Sequence, residues 1–289
     1  MHRFLLHNDD IRDAGDRVLS PGQVGLMSGW GVFSTIRVKD GVLFAWERHW
    51  ARMQRDAARL RVPFPEDEKS LETRLYRLID ANRAMNSTLR VIVVRNRGGM
   101  WEGPSERVFD IIAFTAGLND WGEAVTLGMI PQARHAASEF AGTKYLSWSE
   151  NLARYERVHE QGFDEAVLLN ERGEVAECTS ANIFAVHGES VSTPPLSAGC
   201  LPGVTRALLL QEIHVPNLAV SEKTLLCSDL ESADEIFITS TTRDLMPVAS
   251  VEGLTIRPGR RVRDRLQQAF SAYTTAYVAA RVREAEKVL

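Results

Sequence analysis

The sequence is poor in cysteine, in long apolar runs and in net charge. Its three cysteines, at positions 178, 200 and 227, form no CxxC pair, which argues against a disulfide framework or structural zinc and fits a reducing compartment. No apolar run approaches a membrane span, and the apolar part of MHRFLLHNDD is too short for a signal peptide. A net charge of -4 offers no electrostatic footprint for nucleic acid or anionic membranes. We therefore expect a cytoplasmic protein with neither nucleic-acid nor membrane partners.

Several enzyme signatures are missing as well. The sequence has no GxxxxGK[ST] loop, no GxGxxG turn after a strand, no GxSxG elbow and no HExxH helix. Nucleotide-binding, serine-hydrolase and zincin interpretations thereby lose their main support. The seven histidines include no i, i+4 pair, so we expect no metal site. Lysine is scarce too, because it supplies only five of the 34 basic residues, at positions 39, 69, 144, 223 and 287.

A length of 289 residues favours two domains. The stretch AGLNDWGE, residues 116–123, is polar, contains glycine and separates two strand-like runs. It therefore predicts a linker between an N-terminal α/β domain over 1–115 and a C-terminal α/β domain over 124–289. Strands and helices mix without regular βαβ alternation, which favours an α/β or α+β fold with mixed sheets.

The first half begins with a predicted hairpin. In GVFSTIRVKDGVLFAW, two β-rich runs meet at Lys39-Asp40-Gly41. A helix through ERHWARMQRDAARL follows. The next predicted helix has one apolar face, made of Leu71, Leu75, Leu78 and Ile79. TLRVIVVR and RVFDIIAFTA then read as two strands.

The second half alternates helices with short strands. AVTLGMI predicts a strand, and a helix is expected to start soon after Lys144. EAVLLN, EVAECTS and NIFAVHG predict a meander. LPGVTRALLLQEI predicts a loop that becomes a helix at Pro202-Gly203, and DEIFITSTTRD a strand that runs into a polar turn. A long helix is expected over residues 259–287.

Four pieces of the second half stand out together. They are Lys144, Glu177, the turn LPGVTR at 201–206 and the stretch TSTTRD at 239–244. Each alone has an ordinary interpretation as a surface charge, a helix start or a polar turn. Jointly they supply an amine for a Schiff base, a carboxylate for a pyridine nitrogen, and backbone N–H groups and hydroxyls for a phosphate. These are the groups that pyridoxal phosphate requires.

The same motifs resemble the class IV, or fold-type IV, family of pyridoxal-phosphate enzymes. This family includes branched-chain aminotransferases, D-amino-acid aminotransferases and 4-amino-4-deoxychorismate lyase. The resemblance runs through GVFSTIRV, ERHWARM, TKYLSW, FDEAVLLNERGEVAECTSANIFAV, LPGVTR and ADEIFITSTTRDLMPV. It implies a two-domain fold-type IV enzyme with pyridoxal 5'-phosphate at the domain interface.

The resemblance gives roles to eight residues. It implies that Lys144 is the catalytic Schiff-base lysine, that Glu177 pairs with the pyridine nitrogen and that Arg52 of HWARM binds the phosphate. The other five are Leu201, which packs on the ring, Val204 and Thr205, which donate to the phosphate, and Ser240 and Thr241, which complete the phosphate cup with Ser240 in place of the usual glycine.

The substrate side gives mixed indications. Branched-chain enzymes have Tyr-x-Arg where this chain has Thr88-Leu89-Arg90, and D-amino-acid enzymes have Arg-x-His where it has Arg95-Asn96-Arg97. A basic cluster able to hold a carboxylate remains in either case, and a solvated strand edge is the alternative interpretation. The candidate substrate-binding residues are Phe33, Arg37, Arg90, Arg95, Arg97 and Thr242.

The lysine, the glutamate and the phosphate cup serve more than one reaction. We expect an aminotransferase that moves the amino group of an α-amino acid to a 2-oxo acid, with branched-chain amino acids as one candidate class. The runner-up is 4-amino-4-deoxychorismate lyase, which releases pyruvate and 4-aminobenzoate. A D-amino-acid aminotransferase and a non-catalytic homologue are further alternatives. The resemblance also implies a homodimer.

Overall fold

A computed structural model describes residues 1–100 and 102–286 of the chain. These residues form two compact units. The first contains Met1–Asn119, Lys144–Trp148 and the C-terminal part from Ala276, and the second contains Asp120–Thr143 and Ser149–Thr275. The first change of unit lies between Asn119 and Asp120, within the segment predicted as a linker. The predicted domain limits themselves stay a prediction.

A six-stranded sheet is the centre of the first unit. Its neighbours follow the order β2-β1-β6-β5-β3-β4, and adjacent strands are antiparallel throughout. The strands predicted in GVFSTIRV, TLRVIVVR and RVFDIIAFTA are confirmed. The elements are β1 (Phe4–His7), β2 (Asp10–Asp13), α1 (Val24–Ser28), β3 (Gly31–Lys39), β4 (Val42–Leu43), α2 (Trp46–Arg59), α3 (Glu68–Asn82), β5 (Ser87–Arg95) and β6 (Phe109–Ala116).

The predicted hairpin joins β3 to a very short β4. Asp40 and Gly41 have φ values of 49° and 79°, as the two central residues of a type I′ turn require. The two residues of β4 pair only with Val38 and Lys39. Strand β4 therefore does not reach Gly31–Phe33, at the beginning of β3, and leaves this edge of β3 open to another segment.

A later segment occupies this edge of β3. Leu146 N–H donates to Gly31 O at 2.9 Å, and Phe33 N–H donates to Lys144 O at 3.3 Å. Tyr145 forms an antiparallel bridge with Val32 between these two bonds. Because these bonds are made with β3, Lys144 belongs by its contacts to the first unit. The predicted C-terminal domain, which includes Lys144, stays a prediction.

The two faces of this sheet differ in composition. One face packs against helices in a core that includes Ile36, Leu89 and Val91. The predicted apolar face of α3 is confirmed, since Leu71, Leu75, Leu78 and Ile79 are at most 1% exposed. The opposite face carries Phe33, Thr35 and Arg37 of β3, next to Thr88, Arg90 and Ile92 of β5. This face thus carries four polar side chains beside Phe33 and Ile92.

An eight-stranded mixed sheet is the centre of the second unit, and together the two sheets give the predicted mixed α/β fold. Its order is β12-β11-β10-β13-β14-β7-β8-β9. The predicted helix at 259–287 is present as α7, although Lys287 lies outside the described residues. The elements are β7 (Val125–Arg134), α4 (Ser149–Glu160), β8 (Glu165–Asn170), β9 (Val175–Cys178), β10 (Asn182–His187), β11 (Ser190–Thr193), a short 3-10 helix (Leu196–Ala198), α5 (Val204–Gln211), β12 (Ala219–Glu222), α6 (Cys227–Ser232), β13 (Glu235–Ser240), β14 (Asp244–Val251) and α7 (Arg261–Glu286).

The predicted meander is wrong at one step. Strands β8 and β9 form an antiparallel hairpin, but β10 does not continue beside β9. Cys178 N–H donates to Ala181 O across a tight turn, and the chain then leaves the β9 ladder. Strand β10 pairs with β13 over five residues instead. This turn brings the residues that follow Glu177 next to those that follow β13.

The core of the first unit gives a stability prediction. Leu75 is fully buried, whereas Leu118 is 41% exposed. We expect Leu75→Ala to lower the free energy of unfolding by about 2–5 kcal/mol, because it removes buried methyl groups and leaves a cavity. The matched control Leu118→Ala is expected to change it by at most about 0.5 kcal/mol. Urea unfolding of both variants measures the difference, and equal midpoints would contradict this assignment of the core.

Candidate active site

Two candidate cations of the first unit, Lys144 and Arg90, lie beside the Phe33 ring. The ring is 2% exposed. Its centroid lies 4.6 Å from the Lys144 amine nitrogen and 4.1 Å from the Arg90 guanidinium carbon. The Trp148 ring approaches it edge-on at 6.3 Å. Both cations are therefore within cation–π distance of one buried aromatic ring.

Among the residues that the structure describes, two arginines of the polar sheet face form no ion pair with an acidic side chain. Arg37 and Arg90 lie on neighbouring strands, where they pair with Thr88 and Thr35 respectively. The Nε atom of each is buried without a hydrogen-bond partner among the described residues. Burial lowers the pKa of Arg90, since a charge is costly to remove from water. This face is therefore suited to receive a carboxylate.

The other two candidate arginines hold the backbone instead. Arg95 stacks on Trp30 at 4.0 Å and donates to the carbonyls of Arg97, at 2.6 Å, and Arg61. Arg97 donates to the carbonyl of Ser105. Arg95 and Arg90 also lie on opposite faces of β5, because they are five positions apart and side chains alternate along a strand. The structure thus brings Phe33, Arg37 and Arg90 together, but not Arg95 and Arg97.

Arg52 lies on α2 in a buried polar cluster with Ser34 and His49. It is 8% exposed, and its Nη2 donates to Ser34 Oγ at 2.8 Å. Its Nε has no hydrogen-bond partner among the described residues. Burial lowers the pKa of Arg52 to about 10, although the charge of Asp56 acts in the opposite direction. Arg52 is therefore a buried cation whose Nε–H group is available for a further hydrogen bond.

The Ser34 hydroxyl links Arg52 to a neutral histidine. His49 is fully buried, and its Nδ1 lies 2.7 Å from Ser34 Oγ. Burial, followed by the charges of Arg52 and Lys144, holds the pKa of His49 well below 6.5. Because Ser34 accepts from Arg52, its own proton can be donated to His49 Nδ1, which leaves the ring proton on Nε2.

Glu177 is held from both sides in the second unit. Arg134 Nε donates to its Oε1 at 2.8 Å, and Leu201 N–H donates to its Oε2 at 2.9 Å. Asn182 in turn donates to Leu201 O at 2.8 Å. Two strands and a loop therefore fix this carboxylate, which is 8% exposed.

The loop at 201–205 leads into α5. Gly203 precedes the helix in an extended conformation, and a Cβ atom there would clash with Asn182 Oδ1. Val204 and Thr205 are buried in the first turn. The first N–H groups of a helix have no partner within it and bind anions readily. This helix start is consequently a place where backbone donors are available.

The turn that follows β13 contains the remaining predicted residues. Ser240, Thr241 and Thr242 are half-buried there, and the hydroxyls of Ser240 and Thr242 lie 3.4 Å apart. Trp121 Nε1 donates to Thr242 O at 3.2 Å. The turn is therefore fixed to the start of the second unit.

A buried ion pair supports this turn. Arg243 and Glu165 lie 3.2 Å apart, and their side chains are 3% and 0% exposed. Arg243 also donates to Ser180 at 2.7 Å and stacks on Trp121 at 3.9 Å. Ser180 follows Glu177 by three residues, so the pair connects the Glu177 loop with the turn.

Sequence reasoning missed several residues of these clusters. Arg134 and Arg243 carry no local signal, since their partners come from distant parts of the chain. His49 was missed although it lies in the same predicted helix as Arg52. Asp56 had a weak signal, because it follows Arg52 by four residues on a predicted helix and thus lies on the same side.

The described residues, 1–100 and 102–286, contain neither a metal-binding cluster nor a membrane-spanning helix. Within these ranges, no group of three or more His, Cys, Asp or Glu side chains is arranged to hold a metal ion. In the same part of the chain, every helix is too short or too polar to span a membrane.

The environment of His49 gives a prediction for its titration. The folded protein should keep its imidazole neutral, whereas the unfolded chain takes up a proton near pH 6.5. The contribution of His49 to the free energy of unfolding is therefore fully present above pH 6.5, and it decreases as the pH falls below 6.5. Histidine-selective 15N NMR should show that the His49 ring stays neutral in the folded protein as the pH is lowered through 6.5. A His49 ring that takes up a proton near pH 6.5 in the folded protein would contradict the buried cluster.

Comparison with known proteins identifies the family. The model of the amino-transferase class IV family matches residues 31–251. A D-alanine aminotransferase of Bacillus licheniformis is 27% identical over 263 residues, with 88% of this chain and 90% of its own covered. A branched-chain-amino-acid aminotransferase of Salmonella typhimurium is 29% identical over 260 residues, with 84% and 83% covered.

A solved structure supports the fold. A Legionella pneumophila protein, provisionally identified as a 4-amino-4-deoxychorismate lyase, superposes with a TM-score of 0.82 at 24% identity and covers 90% of this chain and 96% of its own. The mixed two-sheet architecture is thus that of fold-type IV enzymes. Because the family model spans most of the chain, from β3 to β14, the protein belongs to the class IV aminotransferase family.

Proposed function

We propose that this protein is a pyridoxal-phosphate enzyme that transfers the amino group of an α-amino acid to a 2-oxo acid. The observation that carries the proposal is the Phe33 ring, with Lys144 at 4.6 Å and Arg90 at 4.1 Å. An α-amino acid needs a group that reacts at its amine and a cation for its carboxylate, close to each other. Lys144 and Arg90 offer these two groups within one unit.

The buried donors fit a phosphate group. Arg52 is buried with an Nε that lacks a partner among the described residues, and a buried charge of this kind is costly unless it is paired. A phosphate oxygen would satisfy it with a charge-assisted hydrogen bond. In the second unit, the start of α5 with Val204 and Thr205, together with Ser240 and Thr241, offers further donors. We propose these five residues as the phosphate-binding set.

The environment of Glu177 fits a protonated ring nitrogen. Arg134 and Leu201 N–H occupy one position on each of its oxygens, and an ionised carboxylate can accept about four hydrogen bonds. We propose that Glu177 uses a remaining position to hold the proton at the pyridine nitrogen, with Leu201 packed on the ring.

The chain's own residues then have distinct tasks. Bound pyridoxal phosphate would supply an aldehyde that condenses with amines and a ring that accepts the electron pair left at Cα. Lys144 would hold the cofactor through its amine, and the free amine would take the proton from Cα and carry it. Arg37 and Arg90 orient the carboxylate, while buried Phe33 keeps water from this side of the amine. A guanidinium could not replace the lysine, since it remains protonated at neutral pH.

The destination of the Cα electron pair decides between two activities. Return of the proton by Lys144 leads to transamination, whereas expulsion of a leaving group leads to a lyase reaction. Lys144, Glu177 and the phosphate-binding set serve both. The names of the similar proteins suggest three candidate substrates, namely D-alanine, branched-chain amino acids and aminodeoxychorismate. We favour transamination, which both aminotransferase relatives carry in their names.

We also propose that the protein is a cytoplasmic homodimer. The resemblance to the family supports the dimer, and the three free cysteines are compatible with a reducing compartment. Light scattering should give twice the 32.3 kDa of the chain. A mass of one chain at working concentration would contradict the dimer.

The activity is tested on Lys144. We expect Lys144→Ala to lower the rate of amino transfer by at least about 100-fold, because the variant loses both the anchor and the proton carrier. The exposed Lys69→Ala is the matched control and should retain the wild-type rate. The visible spectrum is followed while L- and D-alanine, leucine, valine, glutamate and aminodeoxychorismate are added singly.

Three results of this experiment can be distinguished. Conversion to the pyridoxamine form, reversed by a 2-oxo acid, supports the transferase. Release of pyruvate from aminodeoxychorismate, with the starting spectrum regained, would assign the lyase. Full turnover by Lys144→Ala would contradict both.

The phosphate site is tested on Arg52. We expect Arg52→Gln to weaken binding of pyridoxal phosphate by about 10- to 100-fold, as for loss of a charged hydrogen bond worth roughly 1.5–3 kcal/mol. Binding of pyridoxal, which has no phosphate, should change by less than about twofold. Exposed Arg77→Gln serves as the control. Equal losses for the two compounds would exclude Arg52 as a phosphate ligand.

A further inference from the structure

Asp56 is a buried carboxylate with both oxygens in use. It lies on α2 and is 1% exposed. Its Oδ2 accepts a hydrogen bond from the main-chain N–H of Lys144 at 3.0 Å. Its Oδ1 accepts from Arg55 Nε, also at 3.0 Å. The two oxygens are thus divided between a neighbouring arginine and the backbone of a residue 88 positions away.

The backbone of Lys144 is held at both of its polar groups. Its carbonyl accepts from Phe33 N–H of β3 at 3.3 Å, and its N–H donates to Asp56 of α2. Strand β3 and helix α2 therefore fix one residue between them. Without Asp56, the contact with β3 would remain, but the N–H would lose its acceptor.

Burying a carboxylate is costly, so its partners indicate what it stabilises. Arg55 is 42% exposed, and an ion pair with so exposed a partner contributes little. The bond to Lys144 joins the buried Asp56 carboxylate to a half-buried segment that is distant in sequence. Asp56 also lies one helical turn after Arg52, so one face of α2 carries both the proposed phosphate ligand and the acceptor for the lysine backbone.

We propose that Asp56 is a positioning residue, which holds the main-chain N–H of Lys144 and thereby keeps the lysine amine beside Phe33. The proposal rests on the proposed function of Lys144. Asp56 touches neither substrate nor cofactor in this account, and it acts only through the lysine. Its effect should therefore be confined to reactions at the amine.

The test uses two substitutions of Asp56 and one control. Asp56→Ala removes the acceptor, whereas Asp56→Asn keeps an acceptor oxygen and the shape but removes the charge. Asp80→Asn removes an exposed carboxylate from α3 and is the matched control. Two readouts are made on the full chain: hydrogen exchange of the Lys144 amide, followed by NMR without cofactor, and the dissociation constants of pyridoxal phosphate and pyridoxine 5'-phosphate. Pyridoxine phosphate has no aldehyde and cannot react with the lysine.

We expect the Lys144 amide of Asp56→Ala to exchange at least about tenfold faster than in the wild type. Its affinity for pyridoxal phosphate should fall by about tenfold, which corresponds to roughly 1.4 kcal/mol. Its affinity for pyridoxine phosphate should stay within about twofold. Asp56→Asn and Asp80→Asn should match the wild type in both readouts.

Two results would overturn the proposal. The first is an unchanged exchange rate of the Lys144 amide in Asp56→Ala. The second is an equal loss of affinity for both cofactor compounds, which would assign Asp56 a role in phosphate binding. If Asp56→Ala does not fold, Asp56→Asn decides alone, since loss of amide protection there would contradict an acceptor role. A wild type that does not bind pyridoxal phosphate would refute the proposed function instead, and the exchange experiment would still decide the role of Asp56.

Discussion

The pairing of residues 144–146 with the edge of β3 is the constraint on which the first unit's site depends. Strand β4 is only two residues long, so the start of β3 can accept a segment from far along the chain. Gly31 allows this close approach, because a Cβ atom there would lie 2.6 Å from Leu146 Cδ1. Lys144 is thereby brought to the sheet face that carries Phe33 and Arg90, although 111 positions separate it from Phe33 in the sequence.

Buried arginines are a second defining feature of the site in the first unit. Arg37, Arg52 and Arg90 each keep a buried Nε without a hydrogen bond among the described residues, which would be unfavourable in a site without anionic ligands. The Asp56 carboxylate, one helical turn from Arg52, is committed elsewhere, because it accepts from the main-chain N–H of Lys144 and from Arg55. A phosphate and a carboxylate would supply the missing charges, which is why both appear in the proposed function.

Local patterns predicted much of the fold. The Asp40-Gly41 turn and the apolar face of α3 depend on neighbouring residues and were correct. The β9–β10 step was wrong, because alternation along a strand does not specify its partner. The same limit applies to the roles of individual residues. The alternation in β5 already places Arg90 and Arg95 on opposite faces of the strand. The hydrogen bond between Asp56 and Lys144, in contrast, follows only from the tertiary fold. The match of Lys144 and Glu177 to a family pattern indicated the chemistry without indicating what holds them.

The most direct test of the central claim locates the covalent bond. The protein is incubated with pyridoxal phosphate, reduced with borohydride, digested and mapped by mass spectrometry. We predict one modified residue among the five lysines, Lys144. Modification of Lys39, Lys69, Lys223 or Lys287 in its place, or no modification at all, would contradict the account.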